Sequence, residues 1–381
     1  MRRQLVITAA VIVLLGVGPP TAAGQGNTRV STGNNLILVT GQDSVWIVPR
    51  TPWGDPDLMG TYTNKTITPV QRPAELAERE FLTAEEMATI EQERVERNER
   101  LLHAPRERTG AGGKKVRRDH ESPVAAVGFY NNFWLDWGTK STGRTSLIID
   151  PPHGRLPPVT PEFEQYRARR SSEKLLASGD PEQWPASGSG YADSWMDFQL
   201  NDRCIVWSAG PPMMPGPYNN TYVIAQTPDY VAIRVEMIHD TRIIPLDGRP
   251  HLPSHIRQYV GDMRGHWQGD TLVVETTNIQ RTEGDPGAQG NDQLETRASN
   301  GRTDDTLRIV ERFTRVDDDT INYHFTVEDP SRWLSPFSGE FPFVKTEDDL
   351  YEYACHEGNY SMSLMLSGAR ALERQGRAAA R

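Results

Sequence analysis

At 381 residues the chain is long enough for one large domain or two ordinary ones, so core size is not limiting. Hydrophobic residues make up 36% of it, with nine Trp and twelve Tyr, a globular composition in which much of the apolar surface is aromatic. Acidic side chains outnumber basic ones by 51 to 41, which disfavours nucleic acid and anionic lipid as partners because an acidic surface repels phosphate.

Residues 1–24 read as a secretory signal: Arg2 and Arg3, an apolar run from Leu5 to Val17, then the small-residue site Thr21-Ala22-Ala23-Gly24. The apolar run is shorter than the roughly 20 residues a membrane span needs, so the expected product is periplasmic or secreted, without a span after cleavage. Losing Arg2 and Arg3 leaves 39 basic against 51 acidic residues, a net charge of −12. Cys204 and Cys355 survive cleavage and meet an oxidising compartment. One disulfide closing a long loop and two buried thiols are the alternatives, since spacing alone does not bring two Cα atoms together.

Residues 25–57 form a Gly/Asn-rich lead, and 58–375 read as one β-rich domain. Residues 58–64 alternate as a strand. Thr83 with Glu86 three positions on is a capping box, which starts a helix to about Leu102. Its sparse apolar positions (Met87, Ile90, Val95, Leu101) place it on the surface with a thin contact stripe. The basic, Gly-rich residues 103–123 complete an insertion over about 83–122. They read as a mobile loop or an anion-binding flap, without the Gly-Lys-Ser/Thr ending of a phosphate loop. Strand patterns follow at 126–138 and 144–150, and Thr160-Pro161 opens a helix to about Ser178. Residues 179–193 read as a loop.

The C-terminal half is a series of hairpins. Residues 221–227 pair with 229–237; 265–267 with 271–277 around Gln268-Gly269-Asp270; 306–316 with 320–328; and 340–346 with 350–357 around Glu347-Asp348-Asp349. In 306–316, Leu307, Ile309 and Phe313 share one face, and Arg308, Arg312 and Thr314 the other. A polar stretch at about 280–304 reads as disordered or as a lid. A helix over about 359–375 and a frayed tail at 376–381 end the chain. The expected fold is mainly β, an antiparallel meander curling into a lipocalin-like barrel or sandwich with a few peripheral helices.

Six motifs occur together: FYNNFWLDWG (129–138), SLIIDPPHGRLP (146–157), VEMIHDTRIIPLDGRPH (235–251), GHWQGDTLVVETTN (265–278), ERFTRVDDDTINYHFTVEDP (311–330) and YEYACHEGNY (351–360). The set resembles a large family of exported bacterial proteins over about residues 48–372. The resemblance implies export and a shared β-rich domain, and brings no catalytic roles with it.

His239, Asp240 and Arg242 sit just past a strand, where a loop can present side chains from a rigid frame. His239 could serve as a general base and Arg242 as a clamp for an anionic group. Neighbours on an extended strand face opposite ways, so Asp240 need not orient His239, and a structural turn is the plain alternative. His356-Glu357 follows the expected strand 350–355, whose alternation groups Tyr351, Tyr353 and Cys355. His356 reads as an acid, with Tyr353 and Glu357 in support. His251 and His255 have the spacing of helical zinc ligands, but Pro253 lies between them. No cofactor is expected. The alternative is zinc or another divalent metal on His239, His251, His255 and His356. Met213, Met214 and Tyr218, in the Pro-rich loop 211–220, and Trp267 are candidate ligand-binding residues or ordinary core. His266 and His324 read as packing residues.

These residues make the leading expectation a small organic molecule bound in an aromatic-lined interior, with metal-free acid–base chemistry of a lyase, isomerase or hydratase. A non-catalytic binding or structural protein of the envelope and a metal-dependent hydrolase are the alternatives.

Overall fold

Alternation turns this chain into a sheet. In β8 (Arg308–Arg315) and β9 (Thr320–Glu328) every second side chain is buried, so each strand carries one inward face. The computed structural model describes residues 46–76, 78–103, 136, 138–178, 194–198, 200–207, 210–280 and 306–379. The expected signal, most of the expected lead, the basic segment after α1, most of the strand pattern expected from 126, the loop expected at 179–193 and the polar stretch after residue 280 lie outside the described residues.

The other strands are β1 (Gly60–Thr63), β2 (Ile148–Asp150), β3 (Thr221–Gln226), β4 (Tyr230–Val235), β5 (Thr241–Pro245), β6 (Asp262–Gln268), β7 (Thr271–Thr277) and β10 (Phe337–Lys345). They form one antiparallel sheet in the order β5-β4-β3-β1-β10-β9-β8-β7-β6, with β2 beside β10. The hairpins β3–β4, β6–β7 and β8–β9 are those the turn chemistry announces. Gly269 supplies the positive φ (62°) of the second.

The sheet curls until its two ends meet, nearly closing a barrel. A Cβ at Gly265 of β6 would lie 2.7 Å from Ile244 and 2.8 Å from Leu246, so a bare backbone is what lets the edges approach. Arg242 Nε on β5 also reaches Met263 Sδ on β6 at 3.2 Å.

The barrel interior is filled by its own side chains. Phe313, Tyr323, Phe325, Phe341 and Phe343 are buried, with ring centroids 5.1 to 6.4 Å apart in tilted, edge-on and stacked pairs. Gly339 makes room for them: a Cβ there would sit 2.4 Å from Phe325 Cζ. The aromatic interior expected to hold a ligand is therefore a packed core.

Three α-helices are found among the described residues. In α1 (Ala84–His103) the Thr83 and Glu86 side chains cap each other's backbone N–H, at 2.8 and 3.2 Å. In α2 (Pro161–Ser178) Thr160 Oγ1 accepts the Phe163 N–H at 3.2 Å. The last helix, α3 (Ser361–Ala379), continues four residues into the tail expected to fray.

One strand expectation fails. Residues 350–355 alternate in sequence but form no strand. β10 already pairs with β9 along one edge and with β1 and β2 along the other, so no backbone remains to receive them. After Thr346 donates to the Thr61 carbonyl at 3.0 Å, the chain leaves the sheet.

A candidate binding cleft at one end of the barrel

Antiparallel pairing brings the ends of β1, β4 and β10 together with the start of β3. A cleft of about 470 Å³ opens there. Its walls are Thr63 and Lys65 after β1, Asp136, Asn219 to Thr221 before β3, Glu236 after β4, and Glu347, Asp348, Asp349 and Tyr351 after β10. Among the described residues the lining thus carries five carboxylates and one ammonium. Lys65 Nζ bonds Asp136 at 2.9 Å and lies 3.6 Å from Asp348. Burial works against the Lys65 ammonium, but the hydrogen bond and charge of Asp136, with Asp348, hold its pKa above the usual lysine range.

Glu236 is the deepest of the carboxylates, only 5% exposed. Its Oε2 accepts the Thr221 N–H at 3.2 Å, while the two backbones bond in the opposite sense at 3.0 Å. No ion pair with Glu236 occurs among the described residues. The backbone around it is unusual. Ile238 (φ 60°) and His239 (φ 46°) are successive left-handed residues in the one-turn helix Met237–His239, and Asn219 of the cleft lining has φ 53°. A β-branched residue at positive φ is a genuine outlier, held only where its surroundings over-determine it. Here the turn is clamped by Val235 N–H to the Asp240 carbonyl at 2.8 Å.

The opposite wall is tied down at several points. Asp348 N–H donates to Thr346 Oγ1 at 3.1 Å, and Asn359 Nδ2 donates to the Asp202 carbonyl at 3.1 Å. Between them Cys355 is disulfide-bonded to Cys204, with Cα atoms 5.7 Å apart across 151 residues of sequence. The disulfide alternative is the one realised.

The sequence-nominated residues fall around this cleft rather than together inside it. His239 is exposed beside the Glu236 turn, its Nδ1 facing the Tyr353 carbonyl at 3.3 Å. Tyr353 therefore meets it through its backbone. The Asp240 side chain accepts the adjacent Thr241 N–H at 2.8 Å, capping its own turn. Arg242 faces inward with no exposed surface and pairs with equally buried Glu311, so it is not positioned as an anion clamp. His356 and Glu357 are exposed past the disulfide, and among the described residues no hydrogen bond or ion pair joins their side chains to the cleft.

Met213 and Met214 have no exposed surface and belong to the core with Tyr218. They line no opening because their loop plugs the barrel: Met213 N–H donates to the Tyr323 hydroxyl at 3.0 Å. Trp267 packs half-buried against the same core. The four histidines weighed as metal ligands do not converge: among the described residues no group of three or more His, Cys, Asp or Glu is placed to hold a metal. His251 instead bonds Asp262 at 2.8 Å on the outer face of β6, with Glu275 3.4 Å from its other nitrogen, and His255 is exposed in the same loop.

Sequence reasoning missed Glu236, Lys65, Asp136 and the asparagines, and took Glu347 to Asp349 for a hairpin turn. Glu236 did leave one signal: it is an acidic residue at the end of a run whose alternate members (Val231, Ile233, Val235) face the core. No family model matches the chain, and no curated protein matches it either.

Proposed function

We propose that this protein binds a small polar organic molecule in the cleft at the Glu236 end of its barrel, in the cell envelope or outside it. The observation that carries this reading is the contrast between a filled interior and a polar cleft of about 470 Å³. That volume lies within the roughly 300–1,000 Å³ of small-molecule sites. The disulfide supports an oxidising compartment. Convergent oxygen groups on a rigid sheet end are suited to fixing the orientation of a polar ligand.

A second reading adds proton transfer. With Nδ1 of His239 against a backbone carbonyl, the proton resides on Nδ1 and Nε2 is the basic nitrogen. An exposed, tautomer-fixed imidazole next to the cleft supports a role as general base, and His239 keeps that assignment. The anion-clamp role of Arg242 is dropped, and so is the role of acid for His356, whose side chain no bond among the described residues joins to the cleft.

A thermal-shift screen of polar metabolites against the mature chain tests binding, with Asp348→Trp as the plugged control. Ligands that raise Tm in the wild type and not in the plugged variant are the expected result. Ligands that stabilise both equally would move the site elsewhere. With a ligand in hand, His239→Ala should abolish any turnover while leaving affinity within about threefold. Unchanged turnover would remove the proton-transfer reading.

A further inference from the structure

Resting on that cleft, we infer that the ligand is an organic ammonium compound, with a short alkyl diammonium fitting best, and that Glu236 is its counter-ion. Removing a carboxylate from water is unfavourable unless hydrogen bonds and an opposite charge replace the solvent. Glu236 is 5% exposed, and one of its oxygens accepts a single backbone N–H, from Thr221 at 3.2 Å. Among the described residues the other oxygen accepts no hydrogen bond and no cation pairs with the carboxylate. Lys65, the one cation of the lining among the described residues, is engaged by Asp136 at 2.9 Å and Asp348 at 3.6 Å. Among the described residues the Glu236 carboxylate therefore has one oxygen open to the cleft and no cation as its partner.

What would supply it is set by the rest of the wall. A divalent metal takes six or more oxygen donors in a tight shell, and the carboxylates here do not gather as such a group among the described residues. A ligand ammonium needs less. It is satisfied by one carboxylate and a few carbonyl or hydroxyl oxygens, such as those of Thr221 and Asn219. Tyr351, 67% exposed at the opening, offers a ring face for the alkyl chain or its charge. Glu347 to Asp349 line the same cleft, and a second ammonium would draw on these carboxylates.

Isothermal titration of the mature, disulfide-intact chain with putrescine, and separately with the neutral isostere 1,4-butanediol and with glucose, tests this. Putrescine should bind, more weakly as salt is raised, and at least tenfold tighter than butanediol. Glu236→Gln keeps the shape and the Thr221 hydrogen bond. It should weaken putrescine at least tenfold while the free variant melts no lower than the wild type, which separates a ligand counter-ion from a structural carboxylate. Butanediol or glucose binding as tightly as putrescine, and lost in Asp348→Trp, would overturn the ammonium assignment and leave the cleft standing. No putrescine binding to the wild type would overturn the assignment too. Putrescine binding untouched by both Glu236→Gln and Asp348→Trp would overturn both it and the cleft.

Discussion

A guanidinium with no exposed surface persists only where its charge and its donors are both met, and Arg242 has Glu311 for both. The two form a two-pronged pair inside the barrel, one prong at 2.9 Å. Burial opposes the Arg242 charge, yet Glu311 outweighs it and the Arg242 pKa is raised. Glu311 also accepts the Tyr323 hydroxyl at 2.7 Å, and burial followed by the Glu311 charge keeps that phenol protonated far above its ordinary range. Deleting one partner strands the other: Arg242→Met or Glu311→Gln should each lower unfolding free energy by about 3–5 kcal/mol in urea melts. The double variant Arg242→Met/Glu311→Leu should recover most of that loss, because it removes both charges from the apolar interior. A double variant as unstable as the sum of the singles would show that the pair contributes through something other than mutual compensation.

At the scale of elements, the amino end of α1 depends on Glu86. Its pKa is pulled down to about 2, first by Arg79, whose guanidinium donates at 2.9 Å, and then by the Thr83 N–H. A carboxylate depressed in the folded state stabilises above its unfolded pKa, near 4.5, and that contribution fades as pH falls from there toward 2. Amide-exchange protection over Met87 to Val95, corrected for intrinsic rates, should fall across that window. In Glu86→Gln it should be low already at pH 6 and change little on acidification. This capping box was legible because both partners lie within four residues, and the hairpins were legible for the same local reason. The insertion of β1 between β3 and β10 joins residues far apart in sequence, and β5 meets β6 without a ladder or a tight turn, so neither leaves a local mark. The false strand at 350–355 is the converse case, since a period of two is necessary for a strand but pairing also needs a free neighbour. Arg242 was misjudged because a charged residue after His239 suggested a site, whereas its place on β5, in phase with buried Ile244, sent it inward. Glu311, in phase with Ile309 and Phe313, could have been read as its buried partner. The cleft was the least legible part: its walls come from five separate stretches of chain.

Across the whole molecule, the Cys204–Cys355 bond joins the loop before the barrel plug to the wall that carries Tyr351. In the chain-entropy account, a loop of this length stabilises by about 5 kcal/mol through the unfolded state, with no effect on native affinity. The structure adds a native-state consequence. Past Thr346 the wall is anchored by the disulfide, by the His239–Tyr353 contact and by the Asn359–Asp202 bond, whereas every strand of the barrel is fixed by its own ladders. Loss of the bond should therefore act in two separable ways. In Cys204→Ser/Cys355→Ser, urea melts should report lower global stability, while far-ultraviolet circular dichroism at 20 °C stays that of the wild-type sheet. At that temperature, where the barrel is still folded, affinity for a cleft ligand should drop at least fivefold because Glu347 to Tyr351 are no longer held against Glu236. Undiminished affinity in a destabilised variant would mean that the bond acts on the unfolded chain alone, and that the hydrogen bonds to His239 and Asp202 suffice to build the wall.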